Sequence, residues 1–375
     1  MIWPVSNLPV IKTLIVGLAW TLECMNSGTL EISGVSSLAF AQHAHNPDGH
    51  LQQVFAGTKR GSIHRLVVEN NGSIRVTEEL KERADHDGSA KVSLPIFSMA
   101  FDSKGSRLFC GGGDRYVSVW KRNSENEWQF QQRLGPHTGW VRDVFWESES
   151  QRLHSLGCNC IETWLKRETK SNEQHLQHWK KASISNSPDL GATLSGDLIC
   201  LCPMKRGLFF AGGVDGRIHL WDSLSMSKPV WSISAHQGRI NAMVYLDSME
   251  ILFSASHDGT IKSWVLDRQN NVILDHPAEI LPIQQHQRVT SLYACTESEI
   301  IFFGTQKGQV GVLTKGTAAG NLLTMEATYQ LSDNLVVNAI CALLVEDQNH
   351  NPCHIVLVGH SRGIDTLLFS SMNYS

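Results

Sequence analysis

No run of apolar residues in this chain is long enough to cross a bilayer. The longest early stretch, Leu14 to Trp20, falls far short of the roughly 18 residues that a spanning helix needs. It follows Lys12 as the apolar part of a signal peptide would. However, Trp20 to Met25 reads WTLECM and offers no small-x-small cleavage site, so secretion is not expected. A basic excess is also lacking: 32 Lys and Arg stand against 36 Asp and Glu, for a net charge of −4. General nucleic-acid binding is therefore not expected. The nine cysteines form no dense, even-numbered disulfide framework, and the pairs Cys158/Cys160 and Cys200/Cys202 have no partner pair at zinc-finger spacing. In a strand, C-x-C puts both sulfurs on one face, as small core residues and reduced thiols. G-x-S-x-G, H-E-x-x-H and phosphate-cradling glycine loops are all missing, and no helical 3.6-residue pattern of any length occurs. Against these absences stands an ordinary globular composition, 42% hydrophobic and 18% charged.

What the chain does have is a repeat. Short strands of alternating character recur throughout, separated by Gly, Asp, Asn and Ser. Three segments state the unit clearly: RLFCGGGDRYVSVW (Arg107 to Trp120), GLFFAGGVDGRIHLWD (Gly207 to Asp222) and EILFSASHDGTIKSW (Glu250 to Trp264). Each is an apolar strand, small residues, an Asp-containing turn, and a second strand ending in Trp. In all three the Asp lies six residues before the Trp: Asp114/Trp120, Asp215/Trp221 and Asp258/Trp264. Weaker copies have Cys158 and Trp164, Arg60 and Leu66, Lys307 and Leu313, and Arg362 and Leu368 at these positions, which makes seven units. An apolar-x-x-apolar step precedes each one: Val35–Leu38, Ile96–Met99, Val141–Val144, Leu198–Leu201, Ile240–Met243, Val289–Leu292 and Val337–Ile340.

Over nearly its full length this pattern resembles the WD40-repeat family. The resemblance implies an all-β fold: a seven-bladed β-propeller of four-stranded antiparallel blades. Stacking blades around an axis buries faces and edges that no blade can bury alone. The last unit ends after its third strand, near Phe369, so its outer strand is expected to come from the N-terminal segment. Val10 to Leu14 and Trp20 to Cys24 are both suitable. Residues 1–34 are thus expected as an extension carrying the closing strand, and 35–375 as the propeller, within a single domain. The family also ties blades together by a His, Ser or Thr, Asp and Trp relay. Only one blade has all four, in His236, Ser256, Asp258 and Trp264; His137 and His286 lack the Asp. The expected role of the relay is structural, because a buried indole N–H and a buried carboxylate each need partners.

The resemblance further assigns three positions per blade to one rim of the central channel, the top. They flank the first apolar residue of the step or precede the turn Asp. Among them Lys59, Phe97, Trp140, Arg142, Arg239, His257 and Arg288 form the expected partner-binding set, against a single acid, Asp197. Trp and Arg are enriched at binding hot spots. The expected function is a non-enzymatic scaffold or recognition module of a multiprotein complex, holding a protein partner through an acidic or phosphorylated peptide. No cofactor, metal or catalytic residue is expected, and the chain is read as an intracellular monomer, cytoplasmic or nuclear. A ubiquitin-ligase substrate receptor is the alternative, though Trp221–Asp222 is followed by Ser223 and Leu224 rather than the x-Arg seen in such receptors. A propeller enzyme needs convergent carboxylates that the rim does not supply. Lys166 to Lys181 read as a solvated face, His43, His45 and His50 as a polar loop, and Lys81 to Lys91 as a charged loop.

Overall fold

A computed structural model describes residues 20–25, 30–32, 34–40, 53–69, 72–80, 94–158, 160–171, 174–184, 197–226, 228–267, 272–273, 276–283, 287–316, 322–331, 335–346 and 352–371. The His43/His45/His50 tract, the Lys81–Lys91 loop, His286 and the candidate strand Val10 to Leu14 lie outside these residues.

Every described element of regular structure is a strand, in seven antiparallel sheets. The closing strand is β1 (Trp20–Cys24). Blade 1 is β2–β5 (Val35–Phe40, Gln53–Thr58, Ile63–Val68, Ile74–Leu80), and blade 2 is β6–β9 (Ile96–Phe101, Arg107–Gly112, Val117–Arg122, Trp128–Leu134). Blade 3 is β10–β13 (Asp143–Glu147, Arg152–Gly157, Cys160–Ser171, Gln174–Ile184), and blade 4 is β14–β17 (Leu198–Pro203, Leu208–Gly213, Arg217–Asp222, Trp231–Ser234). Blade 5 is β18–β20 (Ile240–Leu246, Ile251–Ser256, Thr260–Asp267) with β22 (Glu279–Pro282), and the short β21 (Val272–Ile273) extends β20. Blade 6 is β23–β26 (Val289–Cys295, Ile300–Thr305, Gln309–Lys315, Leu323–Gln330). Blade 7 is β27–β29 (Val337–Glu346, Pro352–His360, Ile364–Ser371) completed by β1. We call the strands of each blade a to d from the axis outward.

The ring closes on itself: each a strand packs on the next, β2 on β6 and so round to β27, which packs back on β2. Its seam is the N-terminal strand. β1 pairs with β29 from Trp20↔Ser371 to Cys24↔Leu367, and Met25 N and Leu30 N continue the ladder to the carbonyls of Thr366 and Ile364. Of the two stretches with strand character, Trp20 to Cys24 is the one that closes the blade.

Each b strand explains why the repeat reads as a continuous apolar run rather than an alternating one. Both of its faces are covered, so alternate residues feed two different cores. Phe209 packs with Phe145, Leu156 and Trp221 between blades 3 and 4, while its neighbour Phe210 packs with Met243, Leu252 and Trp264 between blades 4 and 5. Seven such clusters fill the seven junctions. The small residues that end the b strand are needed for close approach. A Cβ on Gly111 would stand 2.6 Å from Cγ1 of Val141 in the next blade, and one on Gly57 would stand 2.8 Å from Cγ2 of Ile96. At five of the seven junctions the first apolar residue of the step thus seats over a glycine of the preceding blade, and Leu156 and Ala255 stand at that position in blades 3 and 5.

Candidate functional site

The blade-tying relay forms in blade 5, with one correction. The indole N–H of Trp264 donates to Ser254 Oγ at 2.8 Å, and that hydroxyl meets His236 Nε2 at 2.7 Å. His236 Nδ1 meets Asp258 Oδ2 at 2.8 Å. The serine is therefore Ser254, not Ser256. Register gives the reason: Trp264 pairs with Leu252 and Lys262 with Ser254, so the indole reaches Ser254 diagonally, and Ser256 lies a further two residues up the strand. Ser256 Oγ instead donates to the Gly238 carbonyl and accepts from Asp258 N. Burial opposes ionisation of Asp258, yet hydrogen bonds from His236 and Thr260 outweigh it and hold the carboxyl well below its ordinary range.

Blade 3 contains a second relay that the residue pattern concealed. Trp164 Nε1 donates to Ser155 Oγ at 2.8 Å, which meets His137 Nε2 at 2.8 Å, while His137 Nδ1 lies 3.1 Å from the Arg115 carbonyl. A backbone carbonyl stands where the missing Asp would, and the buried Glu162 carboxylate lies 3.3 Å from His137 Nε2. The signal was His137 itself, which stands eighteen residues before Ser155 as His236 stands before Ser254.

The rim positions divide into two kinds. The residue that follows the first apolar member of each step is Ser36, Phe97, Arg142, Ile199, Asn241, Thr290 or Asn338 in blades 1 to 7. In four blades that side chain is consumed by the fold. Ser36 Oγ donates to the Ile96 carbonyl (2.6 Å), Asn241 Nδ2 to Val289 (2.5 Å), Thr290 Oγ1 to Val337 (2.5 Å) and Asn338 Nδ2 to Val35 (2.8 Å). Each bond clamps one blade to the next. Blades 2 to 4 carry Phe97, Arg142 and Ile199 there. Blades 2 to 4 are instead joined one step deeper by Asp143, whose carboxylate accepts from Ser98 Oγ of blade 2 (2.6 Å) and from Leu201 N of blade 4 (2.7 Å). Asp143 stood outside the expected site.

The released residues converge at the channel mouth. The Phe97 and Trp140 rings lie 5.6 Å apart, and the Arg142 guanidinium sits over the Trp140 ring at 5.7 Å. Trp140 is 51% exposed, which is unusual for its type. Arg239 follows across the mouth; burial and the charge of Arg142 both press its guanidinium toward the neutral form. His257 donates its backbone N–H to the Arg239 carbonyl at 2.9 Å. Burial, then the charges of Arg239 and Arg288, lower the affinity of its imidazole for a proton. The structure thus brings together six of the seven expected residues, Phe97, Trp140, Arg142, Arg239, His257 and Arg288. Lys59 stands exposed on the b–c turn of blade 1, its N–H bonded to the Gly34 carbonyl at 2.7 Å. Below the mouth lies a channel cavity of about 260 Å³ walled by Ser98, Asp143, Asn241, Thr290 and Asn338 among others.

Elsewhere, Lys166 and Lys170 lie on the long c–d hairpin of blade 3, paired with Trp179 and His175. Buried Thr163, His154 and Glu147 are in hydrogen-bond contact in a triad-like order, but the ring of His154 is fully enclosed between Phe145 and Phe209 and meets no substrate. Among the described residues, no group of three His, Cys, Asp or Glu is placed to hold a metal ion, and no helix is long and apolar enough to cross a membrane.

The architecture is that of a seven-bladed propeller, four of its blades carrying the Trp of the repeat, around a channel with a basic, aromatic mouth. The chain carries WD40 repeats: residues 82–121 and 227–264 match the family model "WD domain, G-beta repeat". It is 24% identical over 248 residues to nuclear distribution protein PAC1 of Arthroderma benhamiae, covering 60% of this chain and 52% of that one. It is 21% identical over 279 residues to guanine nucleotide-binding protein subunit beta-1 of Nicotiana tabacum, covering 69% and 68%. The match to PAC1 thus spans about half of that protein's own length. Among solved structures, U3-55K superposes with a TM-score of 0.64 at 15% identity, over 94% of this chain and 98% of that one. WD40 propellers generally serve as non-enzymatic scaffolds for protein interaction within complexes.

Proposed function

We propose that this propeller is a non-enzymatic recognition module that holds a protein partner on its top face through an acidic or phosphorylated peptide. The observation that supports this reading is the state of the arginines. Arg142, Arg239 and Arg288 crowd one mouth, and no carboxylate there answers them: among the described ion pairs of this protein none involves these three. The Nε atoms of Arg142 and Arg239 are buried without a hydrogen-bond partner. A donor in that condition costs free energy until something accepts from it, and a mouth of like charges attracts an anion. Beside them, exposed Trp140 offers a flat apolar surface for the residue next to the anion. The chain itself is read as a monomer of the cytoplasm or nucleus.

The test is partner capture. Replacing Arg142, Arg239 and Arg288 together with Glu should abolish co-purification of partners from cells while leaving the melting temperature unchanged. Glu at Lys166 and Lys170, on the blade 3 hairpin, should leave capture intact. Retention of the full partner set by the triple variant would refute the top-face reading.

A further inference from the structure

The face opposite the top rim carries a second built surface, at the outer corner of blade 4. The two most exposed large apolar side chains among the described residues are Leu224, 73% exposed, and Val230, 59% exposed. They stand on either side of one turn, between the c and d strands of that blade. Single exposed leucines are ordinary, but the backbone that presents this one is held firmly. Leu224 N–H donates to Asp222 Oδ1 at 2.9 Å, and the residue before it is fixed three times over. Ser223 N–H donates to the Gly207 carbonyl at 2.8 Å, its carbonyl accepts from Arg152, and its hydroxyl donates to buried Glu147.

The bond from Ser223 to Gly207 sets the leucine beside the a–b turn of the same blade. There Arg206 is held in the left-handed region at a φ of 64°, with its N–H on the Glu149 carboxylate at 2.9 Å. Arg206 also lines a cleft of about 330 Å³ between blades 4 and 5, whose apolar lining is Met204, Tyr245 and Leu266. Of the charged groups around this cleft, Lys205 and Asp247 answer each other, and Glu250 has a partner. The Arg206 guanidinium has none among the described residues. The corner thus offers an apolar cleft, an unanswered cation and an exposed leucine on a rigid turn.

We propose that this corner docks an extended partner segment of the pattern apolar-x-acidic-x-apolar. Alternate side chains of an extended chain share one face at a spacing of about 6–7 Å. One apolar side chain then enters the cleft, the acid meets Arg206, and the other apolar side chain lies on Leu224 and Val230. Charge complementarity selects the acid, because a carboxylate accepts a forked pair of bonds from the guanidinium and an ammonium is repelled by it. The propeller's own turns are already ordered, so docking costs little conformational freedom on its side. This surface is separate from the top rim and does not depend on it.

Fluorescence anisotropy with the full chain at low ionic strength tests this with three labelled peptides. The first is Gly-Ser-Leu-Ser-Asp-Ser-Leu-Ser-Gly, the second has Lys in place of Asp, and the third has Ser in place of both Leu. The expected result is that the first binds at least about tenfold tighter than either control. Arg206→Glu should reverse the preference between the Asp and Lys peptides. Leu224→Ser should weaken the Asp peptide several-fold while keeping its preference over the Lys peptide, and neither change should lower the melting temperature. The Arg142/Arg239/Arg288 triple Glu variant should bind the Asp peptide as the wild type does. No binding of the Asp peptide, equal binding of the Asp and Lys peptides, or an unreversed preference in Arg206→Glu would each overturn the inference. Loss of the Asp peptide in the triple variant would place it on the top rim and overturn the inference as well. Failure here leaves the top-face reading standing, since that reading is decided by partner capture in the triple variant alone.

Discussion

Two arcs of the ring solve the same packing problem in different ways. From blade 5 through blades 6, 7 and 1 to blade 2, the channel-facing position holds Asn241, Thr290, Asn338 and Ser36, and each side chain bonds the first carbonyl of the next blade. From blade 2 to blade 4 that position holds Phe97, Arg142 and Ile199, and in the channel wall Asp143 bonds to both neighbouring sheets. A side chain that clamps the ring has a donor turned to the next blade rather than to a partner. Moving the stitch down to Asp143 releases the position above it, and there the ring places an exposed Trp140 and the paired Phe97 and Arg142. The contrast teaches that a symmetric repeat gains an interaction face where its own structural bonds are displaced.

The largest expected effect comes from cutting the clamped arc at its seam. Deleting residues 1 to 25 removes β1, exposes the edge of β29 and uncovers Phe369, which is fully buried. Aggregation or a large fall in melting temperature is expected by light scattering and calorimetry. A truncated chain as stable as the whole would mean that the Asn338 clamp to Val35 is enough to close the ring.

Next in size is the relay of blade 5, beside the junction where the channel-facing residue is Ile199. Asp258→Ala leaves buried donors of His236 and Thr260 without an acceptor, at roughly 1–3 kcal/mol or more. Asp114→Ala should cost clearly less, because Asp114 accepts only from Tyr116 N and Trp120 bonds Ser118 without it. Equal losses on chemical denaturation would show that the relay does not hold this blade.

The fold was legible because the Asp turn, the terminal Trp and the apolar-x-x-apolar step are local signatures with fixed spacing. Six of the seven rim residues came together for the same reason: strand pleat carries the step's flanking residues to one end of the sheet. What escaped needed register or partners. Ser254 and Ser256 lie on the same face of β19, and only the pairing of Trp264 with Leu252 selects between them. Ser36, Asn241, Thr290 and Asn338 look like solvent-facing polar residues until the carbonyl of the next blade is in place. Asp143 was overlooked because its position in the step lies on the blade-facing side, where other blades have Ser98, Cys200, Ala242 or Ser291.

The smallest effect, and the finest test of the comparison, concerns that Asp143. Burial in the channel wall pushes its carboxyl up to about 6, although bonds from Ser98, Leu201 and Val144 favour the ionised form. The neighbouring thiols of Cys200 and Cys202 are themselves raised by burial, so they stay neutral and add no charge across this range. An unfolded aspartate titrates near about 3.9. Between those values the folded protein retains a proton that the unfolded chain has lost, so this group's contribution to stability is present at low pH and disappears as the pH rises through about 6. Asp143→Asn cannot titrate. The wild-type chain should therefore gain about 1–2 kcal/mol over the variant between pH 7 and pH 4.5, after allowing for partial solvent access in the channel. Urea unfolding of both proteins at the two pH values measures the difference directly. A constant gap would mean that Asp143 is solvated like a surface acid, and the joining of blades 2 to 4 would then rest on bonds nearer the outside of the ring, Gln132 to Trp179 and Arg152 to Ser223.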